Sequence, residues 1–175
     1  IHGQPVIGWS GSLTTSRHLG TIIPALQALK RFQDFRLKVI GGEIPPVAGL
    51  DIERHAWREQ TEVEDLQSFD IGIMPLLDDP WSRGKCGFKL VQYMARGLPV
   101  VASPVGVNAR IVLPGKTGFL ASNLDEWRAS LLALVESAEM RKEWGAAARE
   151  RAVSDYSLQR WSWSFVKAVN DATRF

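Results

Sequence analysis

Cysteine and long apolar runs are almost missing from this sequence, and both shortages limit what the protein can be. Cys86 is the single cysteine among 175 residues, so no disulfide can form within the chain. A reducing compartment, and hence the cytoplasm, is therefore expected. No run approaches the roughly 18 apolar residues of a membrane-spanning helix. The chain has no initiating methionine or signal-peptide pattern and starts almost directly in an apolar run, as expected for part of a longer protein.

Several motifs that would announce a function are also missing. The sequence contains no GxGxxG, HExxH or GxSxG pattern. It has no run rich in Lys and Arg, no RNP-like aromatic motif and no zinc-finger spacing. We therefore expect no nucleic-acid partner.

Acidic residues are missing from one long window, which runs from Pro80 to Leu124. The whole chain has a net charge of only +2, so this window is strongly basic and the remainder is acidic. A local basic region in a nearly neutral protein indicates a small anionic ligand or a basic docking surface. The cations of the window are Arg83, Lys85, Lys89, Arg96, Arg110 and Lys116.

Short apolar runs alternate with longer amphipathic ones, which is typical of a parallel sheet covered by helices on both faces. We predict a doubly wound α/β fold with a six-stranded parallel sheet over residues 1–156, followed by a C-terminal helix over 157–175. The predicted strands are 5–11, 35–42, 52–58, 70–77, 99–106 and 117–122, and the predicted helices are 18–32, 61–69, 85–96, 124–137, about 139–154 and one from 157.

Two helix starts carry local signals. Thr61 and Glu64 have the spacing of a capping box. Pro24 stands early enough in the helix over 18–32 to be tolerated there.

The strand order 3-2-1-4-5-6 would place a ligand crevice at the carboxyl ends of strands one and four. The loops over 11–18 and 77–88 would line it, and each leads into a helix whose free N–H groups favour an anion. Lys85 and Lys89 at the start of the helix over 85–96 oppose the helix dipole by about 0.3–1 kcal/mol each and repel one another. We therefore predict that a diphosphate binds at this helix start.

The segment "GKCGFKLVQYMARGLPVVASPVGVN" over 84–108 resembles that of a retaining glycosyltransferase of the GT-B type, from the large group 1 family (family 4). The resemblance extends over essentially the whole chain and includes "DIGIMPL" and "GKTGFLA" as well as Gly11 and Leu13 in the loop after strand one. It implies that the chain is the C-terminal, donor-binding half, with a Rossmann-like fold and a nucleotide sugar as substrate, carried on UDP or GDP.

The sequence departs from the family pattern at its acidic positions. The family has two glutamates eight residues apart, and Gly84 and Gln92 stand at those positions here. Arg110 replaces a third glutamate, and Ser12 replaces the arginine after strand one. Gln92 can still hydrogen-bond the ribose hydroxyls, although without charge.

The resemblance implies a mechanism in which cations and amides stabilise the departing nucleoside diphosphate, with no metal or other cofactor. Lys89, together with Lys85 or Arg17, is expected to supply that electrostatic role, and the backbone amides of Cys86, Gly87 and Phe88 would face the diphosphate. Trp57 would flank the base. The remaining expected donor-binding residues are Gly11, Ser12, His18 and Gln92.

The expected partner is an N-terminal, acceptor-binding domain of the same protein, to which the last helix, with Trp161, Trp163 and Phe165, would cross. The chain would then be inactive alone, and the whole enzyme would associate peripherally with a membrane to build a cell-surface polysaccharide or glycan. Two alternatives stay open from the sequence: a sugar-nucleotide epimerase or hydrolase of the same architecture, and a non-catalytic scaffold that has lost its glutamates.

Overall fold

The sheet of this protein is parallel throughout the part of the chain that the computed structural model describes, residues 3–173. Its strand order is β3-β2-β1-β4-β5-β6, which confirms the predicted doubly wound fold. Most strand residues are buried, since helices cover both faces. The strands are β1 Val6–Ser10, β2 Arg36–Ile40, β3 Ile52–His55, β4 Ile71–Met74, β5 Val100–Ala102 and β6 Gly118–Leu120.

Two layers of helices enclose the sheet. The first layer buries Leu26 of α2 and Leu134 of α7 against one face. The second buries Leu66 of α3, Leu90 of α5 and Ala148 of α8 against the other face. The helices within the described residues are α1 Ser16–Gly20, α2 Ile23–Lys30, α3 Glu62–Gln67, α4 Pro80–Arg83, α5 Phe88–Ala95, α6 Asn108–Ile111, α7 Leu124–Glu136, α8 Ala138–Tyr156 and α9 Leu158–Ala172.

The single helix predicted over 18–32 is wrong, because the structure divides it into α1 and α2. Pro24 stands in the first turn of α2. Proline has no N–H to donate to the carbonyl four residues earlier, Gly20, and its ring collides with that carbonyl. The chain therefore leaves helical geometry after Gly20 and resumes it at Ile23.

The helix predicted over 85–96 begins at Phe88, three residues after the predicted start. Gly87 precedes it with a φ of +70°, a left-handed conformation that ends regular geometry on its N-terminal side. Lys85 consequently lies in the loop before the helix. Lys85 and Lys89 are therefore not an i, i+4 pair on one helix, although the charge of Lys85 still lowers the pKa of Lys89.

The predicted capping box at Thr61 does not form. Thr61 ends a short 3₁₀ turn, Glu59–Thr61, and its hydroxyl bonds to the carboxylate of Asp65 at 2.9 Å. Because the chain is already turning at Thr61, its side chain is not placed to accept from the amide of Glu64. Helix α4, which lies within the loop predicted over 77–88, and helix α6, which was not predicted, are each a single turn long.

Helix α9 stands apart from the rest of the fold. It follows α8 after the N-cap Ser157, whose Oγ accepts from the backbone amide of Arg160. It contains no buried residue. No helix of the described residues is sufficiently long and apolar to cross a membrane.

Candidate functional site

A crevice of about 480 Å³ lies at the carboxyl ends of β1 and β2, next to the point between β1 and β4 where the winding of the sheet changes direction. This is where open α/β sheets bind their ligands. The loop after β1, the glycine after β2 and the first residues of α3 and α5 contribute its walls, whereas the loop over 77–88, which was also predicted to line it, contributes no lining residue. The lining residues are Ser10, Gly11, Ser12, Leu13, Thr14, Gly41, Trp57, Glu62 and Lys89.

Beside the crevice, β1 and β4 pair only over a short length. Their register ends at Gly8 and Gly72, and the next amide facing β4, that of Ser10, donates instead to the hydroxyl of Tyr93 at 2.8 Å. Tyr93 comes from α5 and reaches this point because Gly72 has no side chain. A Cβ at Gly72 would lie 2.6 Å from the Tyr93 ring.

The start of α5 presents unpaired backbone donors. Within residues 3–173, the amides of Cys86, Gly87, Phe88 and Lys89 donate no hydrogen bond, while Leu90 is the first to bond back, to Gly87. No acidic residue stands in the first turn of this helix. Four free N–H groups, the helix dipole and the lysine side chains together form a site for an anion.

Lys89 lies between this helix start and the crevice. Its side chain is half-buried and lines the crevice. Burial lowers the pKa of Lys89, the carboxylate of Glu62 opposes that shift, and the positive charge of Lys85 adds to it. An anion in the crevice would replace the lost solvation, so Lys89 is arranged for a negative ligand.

His18 is buried beside the loop that follows β4. Its Nδ1 accepts a hydrogen bond from the amide of Leu77 at 3.2 Å, so neutral His18 carries its proton on Nε2. Burial lowers the pKa of His18, and the charges of Arg17 and Lys85 lower it further, against the effect of Asp79. His18 is therefore a neutral Nε2–H donor at pH 7.

Glu62 is the site residue that the sequence did not reveal. Its Oε1 accepts from Nε1 of Trp57 at 3.0 Å and from Nε2 of Gln92 at 3.2 Å. The capping-box spacing predicts roles for Thr61 and Glu64, which stand before and after Glu62 in the sequence, and gives no role to Glu62 itself. The sequence feature that could have indicated Glu62 is its position. Glu62 begins the helix that follows β3 and so lies near the carboxyl edge of the sheet.

The structure brings together only part of the expected site. Gly11, Ser12, Trp57 and Lys89 line one crevice, and Gln92 contacts it through Glu62. Arg17 does not line it, because its exposed guanidinium is turned towards Asp79 at 3.8 Å. The side chains of Cys86 and Phe88 are also exposed, so only their backbone amides remain candidates for binding.

The two aspartates of the loop after β4 stabilise that loop. Asp79 caps α4 by accepting from the amide of Ser82 at 2.6 Å, and this bond lowers the pKa of Asp79. Asp78 forms a two-pronged ion pair with Arg83, which lowers the pKa of Asp78 and raises that of Arg83. Neither carboxyl has the raised pKa of a general acid.

A second cavity, of about 420 Å³, lies on the other side of the His18–Leu77 contact. It is found at the carboxyl ends of β4, β5 and β6, beside α2 and α7. Leu77, Pro104 and Trp127 form part of its wall.

The sequence pattern of one protein family, described as glycosyl transferases group 1, matches residues 4–137. This range includes all six strands and helices α1 to α7. The chain belongs to the group 1 glycosyl transferases. The resemblance seen in the sequence is thereby confirmed at the level of family and fold, and the transfer of glycosyl groups is the activity of that family.

Proteins of known sequence or structure agree with this assignment. A trehalose synthase of Pyrococcus horikoshii is 29% identical over 84 residues, which are 48% of this chain and 20% of the synthase. HepE of Anabaena, solved in complex with UDP-glucose, superimposes with a TM-score of 0.75 at 17% identity and covers 95% of this chain. The C-terminal domain of a group 1 glycosyl transferase, LpcC of Francisella tularensis, gives a TM-score of 0.66 at 18% identity and covers 91% of this chain.

The matched lengths show how much of such a protein this chain represents. It spans 20% of the trehalose synthase and 48% of HepE. It spans 89% of the LpcC domain, which is itself a C-terminal domain. This agrees with the expectation that the chain corresponds to the C-terminal half of a GT-B enzyme.

Proposed function

We propose that this chain binds the nucleoside-diphosphate sugar of a glycosyltransferase and stabilises the diphosphate as it leaves. One observation carries the proposal: Lys89 lines the crevice and stands at the start of α5, where its own amide and the three amides before it are unpaired among the described residues. A diphosphate supplies the charge and the acceptor oxygens that these groups lack. HepE, with the same fold, was solved with UDP-glucose, which supports a nucleotide sugar as the ligand.

The chemistry required of this chain is electrostatic. As the bond between the anomeric carbon and the phosphate oxygen breaks, its electron pair leaves with the diphosphate, and the amides of Cys86 to Lys89 stabilise the added charge. Lys89 and Lys85 contribute positive charge, and His18 contributes a neutral donor. The oxygen of the acceptor hydroxyl forms a new bond to the anomeric carbon, and a phosphate oxygen of the leaving diphosphate takes its proton, so no metal and no further base are needed from this chain.

The proposal names the nucleotide carrier and the sugar only by their chemical class. We propose UDP or GDP as the carrier, with ADP as the comparison, and a glycan or cell-surface polysaccharide as the product. Trp57, half exposed at the rim of the crevice, offers an aromatic face to whichever base is bound.

A thermal-shift panel of UDP, GDP, ADP and their sugar conjugates tests donor binding. A ligand that binds only the folded chain raises its melting temperature by mass action. Lys89→Met removes the charge but keeps most of the apolar stem, and we expect it to abolish most of the shift. Lys116→Met is the matched control, because Lys116 is exposed in the same acid-free window but precedes β6, at the opposite edge of the sheet.

The outcomes separate the three functions that the sequence left open. A shift that Lys89→Met removes and Lys116→Met retains supports the donor site. A protein that carries this chain and converts or hydrolyses its nucleotide sugar without any acceptor would be an epimerase or hydrolase. A chain that none of the six ligands stabilises would be a scaffold.

We further propose that α9 packs against the N-terminal, acceptor-binding half of the enzyme. Its apolar residues recur at the spacing of one helical face. The charged residues of α9, Arg160, Lys167 and Asp171, nearly cancel, which favours a protein partner over an anionic membrane surface. The exposed fractions of the apolar stripe are 79% for Leu158, 51% for Trp161, 69% for Phe165 and 47% for Val169.

Replacement of Phe165 tests that docking. In the chain alone, Phe165→Ser should leave the melting temperature unchanged, because the ring is already exposed. In a protein that contains both halves, the same change should lower it, whereas Trp163→Ser, away from the apolar stripe, should not. Equal effects of the two substitutions in the two-half protein would reject the docking.

A further inference from the structure

We propose that Glu62 is the carboxylate that binds the ribose hydroxyls of the donor nucleotide, from a helix different from the one that carries Gln92. This inference rests on the proposed donor-binding function and names the residue that recognises one part of the ligand. It follows from the contacts of Glu62, from its charge beside Lys89 in the crevice and from the position of its partner Gln92 along α5.

The contacts of Glu62 leave one carboxylate oxygen available. Trp57 and Gln92 both donate to Oε1, at 3.0 and 3.2 Å. Among the hydrogen bonds of residues 3–173, none ends on Oε2 of Glu62. The three side chains come from the loop after β3, from α3 and from α5, so they hold the carboxylate in one orientation at the wall of the crevice.

The negative charge of Glu62 needs an explanation in a site arranged for an anion. Glu62 and Lys89 line the same crevice, and the carboxylate acts to raise the pKa of Lys89, yet no ion pair of the described residues joins the two. A carboxylate that neither pairs with Lys89 nor faces solvent freely would only weaken phosphate binding by repulsion. Its presence is explained if it accepts hydroxyl groups from a neutral part of the same ligand.

The position along α5 of Gln92, the hydrogen-bond partner of Glu62, agrees with a nucleoside as the ligand. Gln92, its hydrogen-bond partner, stands four residues after Phe88, which corresponds to about 6 Å along the helix from the unpaired amides. A nucleoside diphosphate has its ribose between the base and the phosphates. Trp57, Glu62 and Lys89 line the crevice as an aromatic, an acceptor and a cation, one for each part.

Gln92 completes this arrangement through its amide. Because a carboxylate only accepts hydrogen bonds, the group facing Glu62 must be the NH₂ of Gln92, and its carbonyl oxygen is left as a second acceptor. The pair Glu62 and Gln92 therefore offers two acceptors at neighbouring positions. Vicinal hydroxyl groups, as in ribose, require that arrangement.

The test measures discrimination between ribose and deoxyribose. Dissociation constants of the chain are measured by calorimetry for UDP, GDP and ADP, and then for the 2′-deoxy and 3′-deoxy forms of the tightest binder. Sites that hydrogen-bond a hydroxyl reject analogues without it, so we expect the wild-type chain to prefer the ribonucleotide by about tenfold or more. Glu62→Gln should reduce that preference to within about threefold, chiefly by weakening the ribonucleotide.

Two further variants separate recognition from a structural role. Glu64→Gln removes an exposed carboxylate from the same helix turn and should leave the preference unchanged. The double variant Glu62→Gln, Gln92→Glu exchanges the two groups across their hydrogen bond and should restore most of the preference. It also keeps the inference testable if Glu62→Gln alone fails to fold.

The results distinguish failure of this inference from failure of the proposed function. If the wild-type chain binds a ribonucleotide and Glu62→Gln retains its preference over the deoxy forms, Glu62 does not bind the ribose. A double variant that folds and shows no recovery would also overturn the assignment. If the wild-type chain binds none of the three diphosphates, the donor-binding function is itself wrong and this inference is rejected with it.

Discussion

The hydroxyl of Tyr93 accepts a hydrogen bond from the amide of Ser10 at 2.8 Å and so joins α5 to the end of β1. Tyr93 is fully buried, and burial raises the pKa of its hydroxyl, which stays protonated. The bond fixes the start of α5, with its free amides, beside the loop after β1. The geometry of the proposed anion site therefore depends on a residue that does not line it.

Tyr93→Phe should destabilise the chain without loss of packing. The change leaves the buried amide of Ser10 unsatisfied, which costs about 1–3 kcal/mol of unfolding free energy. Urea unfolding followed by circular dichroism measures this loss. Tyr156→Phe is the control, because no hydrogen bond of the described residues involves its hydroxyl. Equal unfolding free energies for the two variants would contradict the prediction.

Gly87→Ala should be strongly destabilising, because Gly87 has a φ of +70° and an added Cβ would lie 2.2 Å from Ile111. A left-handed conformation at a non-glycine residue costs about 1–3 kcal/mol. Gly84→Ala provides the comparison, since Gly84 has a φ of −79° and an added Cβ there would find its nearest atom at 3.5 Å. Thermal unfolding should show a large loss for the first variant and little change for the second.

The affinity for a nucleoside diphosphate should fall as the pH rises, at values below the usual range for lysine. Burial lowers the pKa of Lys89, so its ammonium group loses its proton earlier than an exposed lysine does. Calorimetric titrations between pH 7 and 10 measure the profile. Lys89→Arg keeps the charge throughout this range and should flatten the profile, and it corrects for ionisation of the nucleotide itself. Identical profiles in both proteins would exclude Lys89 as the titrating group.

The melting temperature of the ligand-free chain should fall as the pH is lowered from 7 to 5, in part because of His18. Its folded pKa lies below the ordinary value of 6.5, so the unfolded chain binds the proton first. The stability that neutral His18 contributes is therefore complete above about 6.5 and is lost as the pH falls towards the folded pKa. His18→Asn keeps an acceptor near the position of Nδ1 and should make the melting temperature less dependent on pH. An unchanged dependence would place the acid sensitivity elsewhere.

The local boundaries show where sequence patterns were insufficient. The sequence pattern predicts one helix over 18–32 that tolerates Pro24, but the effect of the proline on the carbonyl of Gly20 divides that helix into α1 and α2. The late start of α5 follows from the left-handed conformation of Gly87, at a position where Ile111 and Val107 leave no room for a Cβ. Neither effect appears in a hydrophobic pattern, which reports only the faces of a helix.

The sequence by itself determined the alternation of strands and helices, the strand order and the position of a cationic loop before α5. This information is local, since apolar runs, glycines and charges keep their meaning wherever the chain is placed, and the connection rules for parallel sheets do the rest. Only the tertiary structure decided which side chains meet in the crevice. Glu62 bonds to Trp57, 5 residues away, and to Gln92, 30 residues away, and these contacts depend on how α3 and α5 pack against one face of the sheet. Arg17 is the opposite case. The sequence placed this cation in the site, but in the structure its guanidinium is turned towards Asp79.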